Sequence, residues 1–440
     1  MSFRLAAAAV VLLLLVVRAD SSDKPAAAVP RALFNYVAKP TPEFAWKLRN
    51  KTTSDLGAVY HLDLTSQKWH GIVWKHALTV YEPKTVKHPD HVLLFVTGGS
   101  NGRRPGAGDV LMGLKLAGLC KGRVAMLHQV PNQPLLGGKK EDDLITETWL
   151  RYLKTGDETW PLLFPMVKSA VRAMDAVEQL AKREWKQPVK GFVVTGASKR
   201  GWTSWLTSVA DKRVVATAPI VINVLNFRPQ MKHQLDTWGK FSEQIIDYSS
   251  KGLIKKPDEE ESPREIRLRT MMDPYTYRSR LKLPKLLIHG TNDRYWVVDA
   301  MNIYWDGLPG SKFVLHVPNA GHNLKGGRDG ALTTLAVFFR HSVSKTPLPH
   351  LSWKHADDGG NLIFTMAAKS DPKVGRLWVA HSATKDFRNA KWKPVSVTLK
   401  DGRFSASIPK PKSGYVALFG EMQFEYDGLK YALSSQIRRK

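Results

Sequence analysis

Residues 91–97 read His-Val-Leu-Leu-Phe-Val-Thr, a strand-length run that is apolar at almost every position and ends in Gly98-Gly99-Ser100. A strand with one face in water alternates apolar and polar residues. A strand apolar throughout must be covered on both faces, which calls for a parallel sheet with helices on either side. Similar runs fall at 123–127, 191–196, 214–221, 284–290 and 312–317. Between and after them lie segments with apolar residues at helical spacing, at 110–119, 142–154, 162–184 and 331–341. In 162–184, Val167, Ala170, Val171, Met174, Val177 and Leu180 recur every three or four positions and share one face. Lys168, Arg172 and Glu178 are expected to face outward. Strands alternating with helices predict an α/β domain built on a mostly parallel sheet, over residues 30–345.

Ahead of that sheet, residues 58–64 alternate and residues 72–81 are rich in β-branched and aromatic types. They predict an antiparallel pair at a sheet edge. Residues 20–40, rich in Ser, Ala and Pro, read as a leader into the fold. Past Pro349 the character changes. Short alternating runs at 362–366, 377–382, 395–399, 404–408, 415–419 and 431–437 are separated by turn residues such as Asp401-Gly402 and Asp427-Gly428. They predict a β-sandwich over 350–440.

The first 19 residues have the form of a signal peptide. Arg4 precedes an unbroken apolar run at 6–17, and Val17-Arg18-Ala19 supplies small residues for cleavage. That run is shorter than the roughly 20 residues a membrane span requires, and no other segment is apolar enough to cross. The chain is therefore expected to be secreted, with no transmembrane segment in its mature form. Its one cysteine, Cys120, forbids an internal disulfide and lies in an apolar stretch, where an inert buried thiol is expected. Asn50-Lys51-Thr52 is a glycosylation sequon. The net charge of +27 attracts anionic partners such as an acidic polysaccharide. Its lysines and arginines are spread along the chain with no nucleic-acid motif, so specific nucleic-acid binding is not expected. No His and carboxylate spacing suggests a metal, and no cofactor is implied.

Chemistry concentrates in Val194-Thr195-Gly196-Ala197-Ser198-Lys199-Arg200-Gly201-Trp202. A buried strand runs through a glycine into Ser198 and then into a helix. Such a turn lifts the hydroxyl above the sheet edge, with backbone N–H groups at the helix N-terminus for a developing oxyanion. Most elbows of this kind also carry glycine two residues after the serine, where Arg200 stands. The alternative is an ordinary turn that contains a serine. A nucleophilic serine needs a base, and the base needs an acid to orient it. Asp293 follows one buried strand and His322 the next, in the order Ser, Asp, His that an α/β-hydrolase requires. Asp299 rivals Asp293, which could instead be a turn or cap residue. His322 could be a plain loop histidine, and His289 reads as structural. The backbone N–H of Lys199 and that of Gly99 are the candidate oxyanion donors. The side chains of Lys199 and Arg200 either point outward along the helix or meet a substrate carboxylate or oxyanion. Residues 226–283 exceed what a strand–helix pair needs. With Trp238, Phe241, Ile245, Ile246 and Tyr248 in a helical setting, they predict a cap.

Several longer stretches resemble the PhoPQ-activated pathogenicity-related protein family, which includes proliferation-repressor-like secreted proteins. They are Glu141-Asp142-Asp143-Leu144-Ile145, Thr148-Trp149, Thr155-Gly156-Asp157, Trp160-Pro161-Leu162, Gly196 through Thr203, Asp273-Pro274-Tyr275, Leu308-Pro309-Gly310 and Pro318-Asn319-Ala320. The resemblance implies an α/β-hydrolase fold with a Gly-Ala-Ser-Lys-Arg-Gly elbow of the family's own kind. It also implies Ser198 as nucleophile, Asp293 as acid and His322 as base. The elbow is similar to that of glucuronoyl esterases in the basic residue after the serine. A secreted amoebal member slows growth and is linked to dipeptidyl-peptidase-like activity. The run Arg294-Tyr295-Trp296-Val297-Val298 departs from the family's acidic, Phe-rich stretch at that place. The expected function is a secreted serine hydrolase of esterase or exopeptidase type, acting on a small ester or peptide. The alternatives are a signalling protein acting through a cell-surface receptor and an adhesion protein.

Overall fold

The computed structural model describes residues 29–440, so the expected signal peptide lies outside the described residues. Nine strands form the main sheet: β1 (Ala45–Ser54), β2 (Gly57–Trp69), β3 (Ile72–Pro83), β4 (His88–Val96), β5 (Gly122–Leu127), β6 (Gly191–Ala197), β7 (Val214–Ile220), β8 (Lys285–Gly290) and β9 (Lys312–Val317). Their order is β1-β2-β3-β5-β4-β6-β7-β8-β9. The first four in that order pair antiparallel, and every pairing from β5 to β9 is parallel. Among the described residues nine α-helices accompany the sheet: α1 (Ala32–Ala38), α2 (Ala107–Cys120), α3 (Glu141–Thr155), α4 (Leu163–Leu180), α5 (Lys199–Ala210), α6 (Phe227–Trp238), α7 (Ile246–Ser249), α8 (Pro263–Met272) and α9 (Arg328–Val343). Among the described residues no helix is long and apolar enough to cross a membrane.

The all-apolar strands are covered on both faces. In β4, Val92, Leu94 and Val96 join the core formed with α4 and α5. Leu93, between them, joins a second core with α2 and α9. The apolar stripe of α4 is wholly buried, but Lys168 is buried with it, against the expectation. The reason is α1, which forms where a leader was expected. Leu33 and Tyr36 of α1 pack on α4, and the Lys168 ammonium donates to Lys39 O at 2.7 Å. Strand β1 also went unseen. Only Trp46 and Leu48 pack against the core; its other residues, Asn50 among them, are exposed, as suits an edge strand.

Beyond residue 350 the chain is antiparallel: β10 (Leu351–Asp358), β11 (Asn361–Ala368), β12 (Val374–Ser382), β13 (Lys393–Ser396), β14 (Arg403–Pro409), β15 (Tyr415–Tyr426), β16 (Leu429–Ser434) and β17 (Arg438–Arg439). One sheet runs β10-β11-β14. The other runs β13-β12-β15-β16, with β17 on β15. Phe364, Leu377, Phe404 and Met422 share a core with Leu335 and Phe338 of α9, so these sheets lie directly on the α/β layers. Cys120 is buried with them.

The 226–283 insertion is pinned at its base by Asp273. Its carboxylate accepts from the N–H groups of Asn226 at 3.0 Å, Phe227 at 2.9 Å and Tyr275 at 2.9 Å. Burial raises its pKa from 3.8 to about 6, against the pull of those three donors. The folded state then binds a proton that the unfolded state has already lost. The stability from this group is full below pH 4 and is lost as pH rises through 6. Comparing urea unfolding of wild type and Asp273→Asn from pH 4 to 7 is expected to show the wild type's relative stability falling by about 2 kcal/mol. A difference that stays flat or rises with pH contradicts this.

Candidate active site

Ser198 stands between β6 and α5 at φ 58°, ψ −128°, a backbone conformation that L-residues adopt only where their surroundings enforce it. Two hydrogen bonds enforce it here. The Ser198 N–H donates to Ile220 O of β7 at 2.8 Å, and its carbonyl accepts from Trp202 N at 3.0 Å. Gly196 is required, because a Cβ there would lie 2.7 Å from Arg200 O and 2.8 Å from Val96 O.

The acid and base approach through a second tight passage. A Cβ on Gly290, at the end of β8, would sit 2.3 Å from Ala320 O and 2.6 Å from Gly321 O. Glycine there lets the loop after β9 cross the end of β8, and Asn292 N donates to Ala320 O at 2.9 Å. Asp293 and His322, 29 positions apart, meet as a result. His322 Nδ1 lies 2.8 Å from Asp293 Oδ2, and Asp293 Oδ1 accepts from Tyr295 N at 2.9 Å. An ionised carboxylate only accepts, so in the neutral imidazole Nδ1 carries the proton and Nε2 keeps its lone pair. Nε2 is buried and has no hydrogen-bond partner among the described residues. The Tyr295 ring lies over the imidazole at 4.3 Å between centroids and limits its rotation. Ser198 and His322 line one cavity of about 1070 Å³, mouth included, with no hydrogen bond between them. Catalytic contacts of this kind often close only when substrate binds.

The rival groups are committed elsewhere. Asp299 accepts from His233 Nε2 at 2.6 Å and pairs with Arg439 at 3.3 Å. His289 is buried off the cavity wall, and burial, followed by the charges of His316 and His322, pushes its pKa well below the usual value.

Lys199 and Arg200 fit neither expectation for their side chains. Both turn inward. The Arg200 guanidinium grips Glu141 at 2.6 and 2.8 Å and donates to Val130 O at 2.6 Å. Lys199 Nζ lies 2.7 Å from Glu141 and 3.4 Å from Asp142. Burial works to raise the Glu141 carboxyl, but Arg200 and then Lys199 outweigh it and hold it well below the usual carboxylate range. Glu141 is the site residue that the sequence reading left without a role. Its signals were the acidic run 141–143 at the start of a helix and its place in the family-like stretch 141–145. Gly99, at φ 124°, lies in the loop after β4, where its carbonyl accepts from Gln133 Nε2 at 3.3 Å. It is not part of the cavity wall, whereas Lys199 is.

The insertion covers the cavity with Phe227, Met231, Ile245, Tyr248 and Leu253. Of the residues expected in a cap, Ile245 and Tyr248 face the cavity, Trp238 and Phe241 pack on the core behind it, and Ile246 is exposed. A loop of the C-terminal sheets braces the acid and base loops. Asn292 Nδ2 donates to Ala390 O at 2.7 Å. Asn319 Nδ2 donates to Trp392 O at 2.9 Å, and Asn319 Oδ1 accepts from Trp392 N at 2.8 Å.

A mostly parallel sheet flanked by helices, with a serine on a strained strand-to-helix turn at its carboxyl edge, defines the α/β-hydrolase fold. Within that class the chain belongs to the PhoPQ-activated pathogenicity-related protein family, whose model matches residues 33–388. It is similar to autocrine proliferation repressor protein A of Dictyostelium discoideum, with 31% identity over 429 residues, covering 90% of this chain and 86% of that protein. Among solved structures it is similar to an acetyl xylan esterase from Paenibacillus sp. R4. There the TM-score is 0.49 and the identity 16%, over 70% of this chain and 91% of the other. Acetyl xylan esterase 1 from Thermoanaerobacterium sp. JW/SL YS485 gives a TM-score of 0.48 and 17% identity, over 71% and 91%.

Proposed function

We propose that this protein is a secreted serine hydrolase of esterase or exopeptidase type. The observation that carries this reading is the Asp293–His322 pair, whose imidazole lines the same cavity as Ser198 and whose Nε2 is buried without a partner. In this mechanism Ser198 Oγ attacks the substrate carbonyl carbon while its proton passes to His322 Nε2. Asp293 holds the imidazole in the tautomer that accepts it and stabilises the imidazolium that forms. The carbonyl π pair moves onto oxygen, where the Lys199 N–H, at the first turn of α5, donates to it. The second donor was assigned to Gly99, and its place off the cavity wall leaves Lys199 the better supported of the two. Collapse expels the alcohol or amine, which takes the proton from Nε2. Water then adds to the acyl-enzyme by the same route and releases the carboxylic acid and free Ser198.

An activated ester such as 4-nitrophenyl acetate tests the reading. A burst of nitrophenol approaching one equivalent, followed by slower turnover, is expected of wild type, and neither is expected of Ser198→Ala. Equal turnover by the two proteins would refute it. The name of the amoebal relative favours a second reading, a secreted signal acting through a receptor. Growth inhibition retained by Ser198→Ala protein would support that reading and make catalysis incidental. Secretion rests on the leader at 1–19, and the net charge of +27 supports an anionic polysaccharide as a surface partner.

A further inference from the structure

The cavity wall beside Ser198 is a continuous aromatic surface. Tyr248 meets Trp149 at 5.3 Å, Trp149 meets Trp202 at 6.0 Å, and Trp202 meets Phe227 at 5.4 Å between ring centroids, all edge to face. Trp202 lies one helical turn after the nucleophile, and its indole N–H donates to Met272 O of α8 at 2.7 Å, which fixes the ring against the cap. The wall spans both the hydrolase helices and the insertion.

The charges around that surface are already satisfied by one another. Lys199 is held by Glu141 and Asp142, and Asp142 also accepts from the Tyr248 hydroxyl at 3.2 Å. At the cap side Arg269 pairs with Glu261 at 2.8 Å, Arg228 with Glu261 at 3.5 Å, and Lys255 with Glu265 at 3.2 Å. Every charged side chain on the wall lies within 4 Å of an opposite charge. A substrate ammonium would share Asp142 with Lys199 and Tyr248, and a substrate carboxylate would compete with Glu261 or Glu265 for their cations. A charged substrate end therefore gains little from a wall whose charges already have partners, and it still loses its own hydration. A neutral apolar group meets the aromatic surface without breaking anything.

We propose that the site takes esters with a large, neutral, apolar acyl group, aromatic or medium-chain, in preference to short acyl groups and to peptides with a free α-ammonium end. This rests on the serine-hydrolase reading, and it decides between the esterase and exopeptidase forms of it. The reaction is RCO–OR′ + H₂O → RCOOH + R′OH, through the Ser198 acyl-enzyme.

The test compares kcat/KM for 4-nitrophenyl acetate, octanoate and benzoate and for a dipeptidyl 4-nitroanilide with a free amino end. Octanoate and benzoate are expected to exceed acetate by about tenfold or more, the gain expected when an apolar pocket is filled. Turnover of the dipeptidyl compound is expected to fall below that of all three esters. Leu253→Trp, which fills the cavity from the cap, and Phe227→Ala, which removes one end of the aromatic wall, are each expected to lower the octanoate-to-acetate ratio. Acetate preferred to both larger esters, a flat acyl series, or the dipeptidyl compound turned over best would each overturn the proposal. Fluorophosphonate labelling of Ser198 separates the failures. If Ser198 labels but the preference is wrong, only the acyl assignment falls. If Ser198 does not label, the hydrolase reading falls and takes this one with it.

Discussion

Replacing His322 by alanine is expected to lower kcat for a 4-nitrophenyl ester by about 10⁴–10⁶-fold. The hydroxyl of Ser198 is a poor nucleophile at neutral pH and needs a base to activate it. The His322 imidazole stands on the cavity wall with Ser198, and its Nε2 has no hydrogen-bond partner among the described residues. His289 is buried away from that wall, and Asp299 is engaged by His233 and Arg439. The fold is expected to survive. The imidazole is partly exposed, and Asp293 keeps the N–H of Tyr295 after losing its histidine. The lost hydrogen bond costs about 1–2 kcal/mol. Single-turnover kinetics with circular dichroism check both halves. A kcat within tenfold of wild type would mean that another group serves as the base.

The second large effect is on stability. Glu141→Ala is expected to destabilise the protein by about 2 kcal/mol and to slow ester hydrolysis as well. Lys199 and Arg200 are nearly buried, with side chains 8% and 11% exposed, and both depend on this carboxylate. Breaking a fully buried pair costs about 3–5 kcal/mol. The figure here is smaller because the Glu141 side chain is 42% exposed and water can enter. Arg200 then loses its fork of two hydrogen bonds, keeps only Val130 O, and the first turn of α5 loosens beside Ser198. Denaturant unfolding measures the first effect and kcat the second. Glu141→Gln, which keeps one acceptor, is expected to fall between. A Glu141→Ala protein as stable as wild type would mean that the two cations are solvated in solution.

The parts of this site legible in the sequence are those set by local chemistry. Gly196 and Ser198 follow a buried strand because only that order makes the elbow, and its backbone strain follows from it. Asp293 and His322 each follow a buried strand, so their loops share the sheet's carboxyl edge. Side-chain partnerships across distant segments were not legible. Nothing near Arg200 announces that it will turn inward to a carboxylate 59 positions away. The brace from Asn292 and Asn319 to residues 390–392 joins the α/β domain to the C-terminal sheets, and neither stretch carries a motif for it. Edge elements escaped for a different reason. β1 offers only two alternating apolar residues, Trp46 and Leu48, ahead of a polar run, and α1 is two turns long and starts in a region of leader-like composition. Lys168 was misread as a consequence, since its polar end is covered by the helix that went unseen.

The most direct test of the account is the reaction of the folded protein with a fluorophosphonate, followed by peptide mapping. One adduct per chain is expected, on Ser198, formed rapidly by wild type, far more slowly by His322→Ala and not at all by Ser198→Ala. An adduct on another residue, or a folded wild-type protein that takes up no label, would contradict it.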